Sequence, residues 1–204
     1  MTATQRRAKP LPPDDRRREI VEAVVPLLLE KGSTLSTREI ADAAGIAEGT
    51  VFSVFPDKVS VIVEAIKATV DPESTRGALA RIPVNIPVEE QLEQAAGVLM
   101  ERGERIGILV GVLRTMQTTE AEKLEGAHRY LKESHASMLC ALAELFDRHP
   151  DQFKTTPARA AVVFWGLVFA NAHFLMEDED KLGAPAVVDI VLHGIASQDS
   201  ESVA

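Results

Sequence analysis

Ser36-Thr37-Arg38-Glu39-Ile40-Ala41-Asp42-Ala43-Ala44-Gly45-Ile46-Ala47-Glu48-Gly49-Thr50-Val51-Phe52-Ser53-Val54-Phe55-Pro56-Asp57-Lys58 is the stretch whose reading decides the fold. It opens as a capping box: the Ser36 hydroxyl can accept from the Glu39 amide while the Glu39 carboxylate reaches back to the Ser36 amide. A short helix follows with Ile40, Ala41 and Ala44 inward. Gly45 is the residue that can adopt the left-handed conformation a sharp helix stop requires. A second short helix then carries Val51 and Phe55 inward, with small Ala41 permitting close approach. Two short helices joined by a glycine turn make a helix-turn-helix, whose second helix is shaped for the major groove of DNA.

The run Gly49-Thr50-Val51-Phe52-Ser53-Val54-Phe55-Pro56-Asp57-Lys58 closely resembles the end of the DNA-binding domain in the tetracycline-repressor (TetR) family. The family pattern there is Gly-Thr-apolar-Tyr-x-x-Phe-x-x-Lys, and the likeness extends from about Arg17 to Lys67. It implies an amino-terminal DNA-binding domain, an all-helical effector-binding domain, and a homodimer that leaves its operator when a small molecule binds. On this reading Thr37 and Arg38 at the start of the first short helix, with Thr50 and Lys58, would hold phosphates, and the exposed Glu48, Gly49, Phe52 and Ser53 of the second would face bases. Two positions depart from the pattern. Phe52 replaces a phosphate-contacting tyrosine, and Ala47 stands where a capping serine is common.

The formal net charge of −9 looks wrong for a DNA binder until it is divided along the chain. Residues 1–70 carry ten Lys/Arg and ten Asp/Glu, so the whole acidic surplus lies behind the helix-turn-helix. Repulsion from DNA should therefore be weak at the front and should help hold the rear domain away from the phosphates. A chain of 204 residues, 46% hydrophobic and 26% charged, has ample material for a folded core. The single cysteine excludes an internal disulfide framework and fits a reducing compartment. The polar, proline-rich start does not read as a signal peptide, and the apolar run from Ala160 to Met176 is too short to span a bilayer. The expected location is cytoplasmic. No phosphate-binding glycine loop, zinc signature or nucleophile motif is present, so no enzyme, cofactor or metal is expected. His128 and His135 share a helix face without accompanying ligands.

The expected fold is all-α, with about nine helices. Residues 1–13 read as a disordered basic tail, 14–70 as the DNA-binding domain, 71–198 as an effector-binding and dimerisation domain, and 199–204 as a frayed end. A first helix over Asp15–Lys31 is capped by Asp14 or Asp15 and carries Ile20, Val24, Leu27 and Leu28 on one face, with Gly32 as its stop. Pro26 inside it costs ~3 kcal/mol in a regular helix and predicts a kink. Arg16, Arg17 and Arg18 are either phosphate contacts or solvated charges. Asp57 caps a helix to about Thr69, whose first residue, Lys58, is placed as a phosphate clamp. Beyond the prolines at 72, 83 and 87, Val88–Met100 reads as helix. Gly103, Gly107 and Gly111 follow on one face, either to let a helix approach or to leave room for a ligand. Thr119 to Arg148 reads as a long helix with Cys140 in its core.

Pro157–Met176 is apolar nearly all round and therefore needs two partners: its own core and, by expectation, the same helix of a second chain. Phe164, Val168 and Phe174, with Val188, Val191 and Leu192 of a last helix started by Pro185, are the interface residues of that reading. Leu109, Leu113, Met116 and Trp165 are its pocket residues, for an apolar or aromatic effector. Together these give a ligand-responsive regulator, a repressor by the resemblance, acting as a homodimer on a palindromic operator. The alternative is a dimeric helical partner-binding protein that has lost sequence-specific DNA binding, which the lack of any Arg or Lys within the recognition helix keeps open.

Overall fold

The computed structural model describes residues 12–116, 121–171, 179 and 181–194, and among these it contains α-helices and two short 3₁₀ turns but no strand. Helix α1 spans Pro13–Lys31, α2 Thr37–Ala43, α3 Glu48–Val54 and α4 Lys58–Thr69. Helix α5 spans Pro72–Ala80, α6 Val88–Met116, α7 Ala121–Asp147, α8 Pro157–Asn171 and α9 Ala184–His193.

Local chemistry sets most of these ends. Helix α1 starts on Pro13, where a missing amide costs nothing, with Asp14 and Asp15 in its first turn rather than as a hydrogen-bonding cap. It runs unbroken past Pro26. It stops at Gly32, whose φ of 60° admits no ordinary side chain cheaply and whose amide closes on the Leu28 carbonyl. Gly45, at φ 64°, makes the turn between α2 and α3. Asp57 caps α4 by accepting from the Ser60 amide at 2.8 Å and its hydroxyl at 2.9 Å. Helix α5 lies in what sequence punctuation alone reads as a link. Pro72 is tolerated at its first position, and Asp71 accepts from the Ser74 amide at 3.1 Å. Helix α6 continues without interruption through Gly103, Gly107 and Gly111.

The chain packs as two compact units: residues 1–74 with 105–136, and residues 75–104 with 137–204. This cuts across the chain-order division at residue 70, because later parts of α6 and α7 join the helix-turn-helix in one core. That core contains Ile20, Val24 and Leu28 of α1, Ile40 and Ala41 of α2, Val51 and Phe55, and Ile62 and Ile66 of α4. Leu109, Val112 and Leu113 of α6 and Ala127 of α7 complete it. Burial of such side chains is worth about 1.5–3 kcal/mol each for the larger ones. Val112 lies 3.5 Å from where a Cβ on Gly32 would sit.

In the second unit, Leu92, Ala95, Ala96 and Leu99 of α6, Met138, Leu142, Leu145 and Phe146 of α7, and Phe164 and Val168 of α8 are buried. The Phe146 ring meets Phe153 edge-on at 4.9 Å and Phe164 at 5.8 Å. Asn171, at the end of α8, clamps the backbone of Leu182 in both directions, donating at 2.6 Å and accepting at 2.5 Å. No helix among the described residues is long and apolar enough to cross a membrane.

Candidate nucleic-acid interface

Everything beneath the recognition helix is fixed by packing. Val51 is 1% exposed and Phe55 2%, so one side of α3 is locked into the core and the other is set outward. The outward side carries Glu48, Gly49, Phe52 and Ser53, all exposed. Phe52, at 45% exposure, presents a bare phenyl edge to solvent. The Ser53 hydroxyl donates to the Thr50 carbonyl at 2.7 Å and keeps only lone pairs for an outside donor. The Thr37 hydroxyl, half-buried at the start of α2, lies 3.4 Å from the Glu48 carboxylate. A Cβ on Gly49 would meet nothing within 4 Å, so this stretch of helix surface is open to close approach. Arg38 is well exposed, and its contact with Asp42 at 3.9 Å is too loose to hold it.

Helix α2 is held rigidly under this face. The Glu39 carboxylate accepts from the Ser36 amide at 2.8 Å and from Lys31 at 2.5 Å, while its own amide donates to the Ser36 hydroxyl at 3.2 Å. The Lys31 ammonium first, and the Ser36 amide and hydroxyl next, hold the Glu39 carboxyl down to about 2, against 4.5 unperturbed. Lys31 moves up correspondingly, chiefly through its hydrogen bond to Glu39. A carboxyl depressed by folding stabilises the fold above its unfolded value and loses that contribution as pH falls toward its folded one. Glu39→Gln should therefore melt below the wild type at pH 7, and the gap should narrow progressively between pH 4.5 and 2. A gap independent of pH in thermal melts would show that the ion pair contributes nothing.

Lys58 requires a correction. Its ammonium donates to the Leu35 carbonyl at 2.8 Å and reaches the Ser33 carbonyl at 3.5 Å. It thus pins the start of α4 to the link between α1 and α2 and is a part of the fold before it is anything else. At most one of its three N–H groups remains for a phosphate. The arginine run also divides. Arg16 pairs with Glu19 at 2.7 Å and Arg18 with Asp15, whereas Arg17, still about half exposed, reaches across to the end of the recognition helix. The sequence does carry a signal for this. Arg17 precedes Ile20, Val21, Val24 and Leu28 at helical spacing, on the stripe α1 buries.

The pocket and interface assignments also change. Leu109 and Leu113 are 0% and 2% exposed and belong, with Met116 packed against them, to the core that holds α1 and α4. They are core residues of this unit. Trp165 is nearly buried in the second unit, its ring 5.3 Å from Phe169. Phe164, Val168 and Val188 are buried within the chain, so they cannot present themselves to a second copy. Val191 and Leu192 are half-buried, and Phe174 lies outside the described residues. The apolar residues that α8 does turn outward are Val162 at 55% and Val163 at 57%, with exposed Gly166 and Ala170 on the same side. Cys140 is exposed, not core. A Cβ on Gly107 or Gly111 would meet nothing among the described residues, so those glycines receive no neighbouring helix there. No group of three His, Cys, Asp or Glu that could hold a metal occurs among the described residues.

A capped helix, a glycine turn and a second helix with one buried and one exposed side, braced by α1 and α4, define a helix-turn-helix DNA-binding protein. Residues 20–65 match the family model described as bacterial regulatory proteins, tetR family. The amino-terminal helix-turn-helix is thus similar to that of TetR-family DNA-binding transcriptional regulators. The fold is shared with solved structures at low identity. One, described as a TetR-family transcriptional regulator from Mesorhizobium loti, is 24% identical with a TM-score of 0.63, over 90% of this chain and 98% of that one. A transcriptional regulator from Pseudomonas aeruginosa is 17% identical with a TM-score of 0.64, over 93% of this chain and 92% of that one. FadR from Bacillus subtilis, in complex with stearoyl-CoA, is 16% identical with a TM-score of 0.60, over 88% and 99% respectively. A search of curated protein sequences returned no match.

Proposed function

We propose that this regulator is a repressor that binds a palindromic operator as a homodimer and releases it when an apolar effector binds. The observation that carries the reading is the recognition helix itself, with Val51 and Phe55 buried beneath it and Glu48, Gly49, Phe52 and Ser53 outward. Glu48 can accept from cytosine N4, and the Phe52 ring can pack on a thymine methyl. With no Arg or Lys in α3, strong guanine readout from it is not expected. Thr37, Arg38 and Thr50 are the phosphate contacts of this proposal, and residues 14–70 its DNA-binding portion. Phosphate contacts supply affinity and register, and the α3 side chains supply sequence preference.

The outward valines of α8 support a second copy as partner. For the effector, the FadR complex with stearoyl-CoA on the same fold suggests an acyl thioester or a similarly long apolar molecule. Two hydroxyls of α7 suggest how such binding reaches the DNA-binding helices. Buried Ser134 donates to the Val70 carbonyl at the end of α4, and the Tyr130 phenol lies against Asp71, one residue further. Burial first, and Asp71 next, push the Tyr130 phenol upward, so it stays a protonated donor. Helix α7 is continuous from Ala121 to Asp147, so movement along it would displace the end of α4.

Selection of bound DNA from a random pool tests the reading. A palindromic consensus, weakened when stearoyl-CoA is added, is the expected result. Salt-sensitive binding without any consensus would remove the operator. No binding at all would favour a dimeric protein that has lost DNA recognition.

A further inference from the structure

We propose that Arg17 is the residue that positions the recognition helix, holding its carboxy-terminal end from α1 rather than contacting DNA. The inference rests on the DNA-binding reading above for its consequence, and on geometry for its substance. Helix α3 has seven residues, well short of the roughly 12–15 at which an isolated helix becomes even marginal in water. A helix leaves its first four amides and last four carbonyls without internal partners. At the amino end of α3, Ala47 supplies no side-chain cap. At the carboxyl end, the Phe55 amide closes on the Val51 carbonyl at 2.9 Å, and the Val54 carbonyl accepts from Arg17 Nη2 at 2.8 Å. The cap therefore comes from a side chain 37 residues away in sequence.

The same guanidinium lies 5.2 Å from the centre of the Phe55 ring, over its face. Arg17 thus grips the last residue of the helix and the first one beyond it together. A cation there also complements the negative end of the helix dipole. The planar fork suits this double contact, since its donors are pre-organised in one plane that can also lie over a ring, whereas a flexible, strongly hydrated ammonium holds both contacts less well. Asp14, 3.8 Å from Nη1 and almost fully exposed, adds little. Residues Phe52 and Ser53, which would meet bases, lie within the final turn that Arg17 closes. A small rotation of that turn would move both.

The test uses the full chain and the variants Arg17→Met and Arg17→Lys. Hydrogen exchange reads the amides of α3 against those of α1 and α4, and DNA binding is titrated at several salt concentrations. In Arg17→Met, α3 amides should exchange about ten-fold faster or more, as loss of a charge-assisted hydrogen bond implies, with α1 and α4 little changed. DNA affinity should fall about ten-fold with the salt slope unaltered, and Arg17→Lys should recover only part of both. A slope lower by about one unit with α3 exchange unchanged would make Arg17 a phosphate contact and overturn the proposal. Equal acceleration in α1, α3 and α4 would make it a general stability residue, and no change in either readout a solvated one. Should the wild type bind no DNA, the function reading fails, while the exchange arm still decides whether Arg17 holds α3.

Discussion

Phe164→Ala should lower the stability of the second unit by about 3–5 kcal/mol, the usual cost of removing a fully buried aromatic ring. Phe164 is 0% exposed and meets Phe146, also 0% exposed, edge-on at 5.8 Å. Its removal deletes that contact and leaves a cavity between α7 and α8 that close-packed neighbours fill only in part. For a chain of this size the melting temperature should drop by roughly 6–20 °C. The drop should be the same at high and low protein concentration, because the lost packing is internal to one chain. A melting temperature within about 2 °C of wild type, with dimerisation abolished, would return Phe164 to an interface.

That residue also shows where the sequence stops being informative. Helix α8 is apolar on two sides, and periodicity cannot say which side meets the chain's own core. The answer depends on Phe146 of α7, on another helix, which takes Phe164 edge-on and leaves Val163 outside. The same limit applies to Lys58 and Arg17, whose acceptors are backbone carbonyls. Every residue has one, so a carbonyl partner leaves no mark in the sequence. The packing of Leu109 and Leu113 against the helix-turn-helix was not legible, because nothing local reveals that α6 returns to it. What was legible is what local chemistry controls: the Ser36–Glu39 capping box, the turn at Gly45, the stop at Gly32 and the Asp57 cap. The exposed side of α3 was legible too. It follows from burying Val51 and Phe55, and helical geometry then assigns Phe52 and Ser53 outward.

Val163→Asp should convert a dimer to monomers while leaving the fold of each chain intact. Val163 is 57% exposed, next to Val162 at 55%, and neither packs inward. In an isolated chain, then, a polar side chain there should change stability by no more than about 0.5 kcal/mol. Within an interface between two copies of α8 the outcome differs, because a carboxylate from each copy would be buried without a partner. Gly166, one turn further on the same exposed side, allows the close helix approach that makes such burial complete. Sedimentation at micromolar concentration should give about twice the chain mass for wild type and one chain mass for the variant. Operator affinity should fall at least about 100-fold, since two linked half-sites bind roughly 10²–10⁴ times better than either alone. Binding to a single half-site should be unchanged. A variant that sediments as a dimer would remove the outward face of α8 from the interface. A monomeric variant with full operator affinity would instead separate dimerisation from DNA recognition, and the palindromic operator would have to be abandoned.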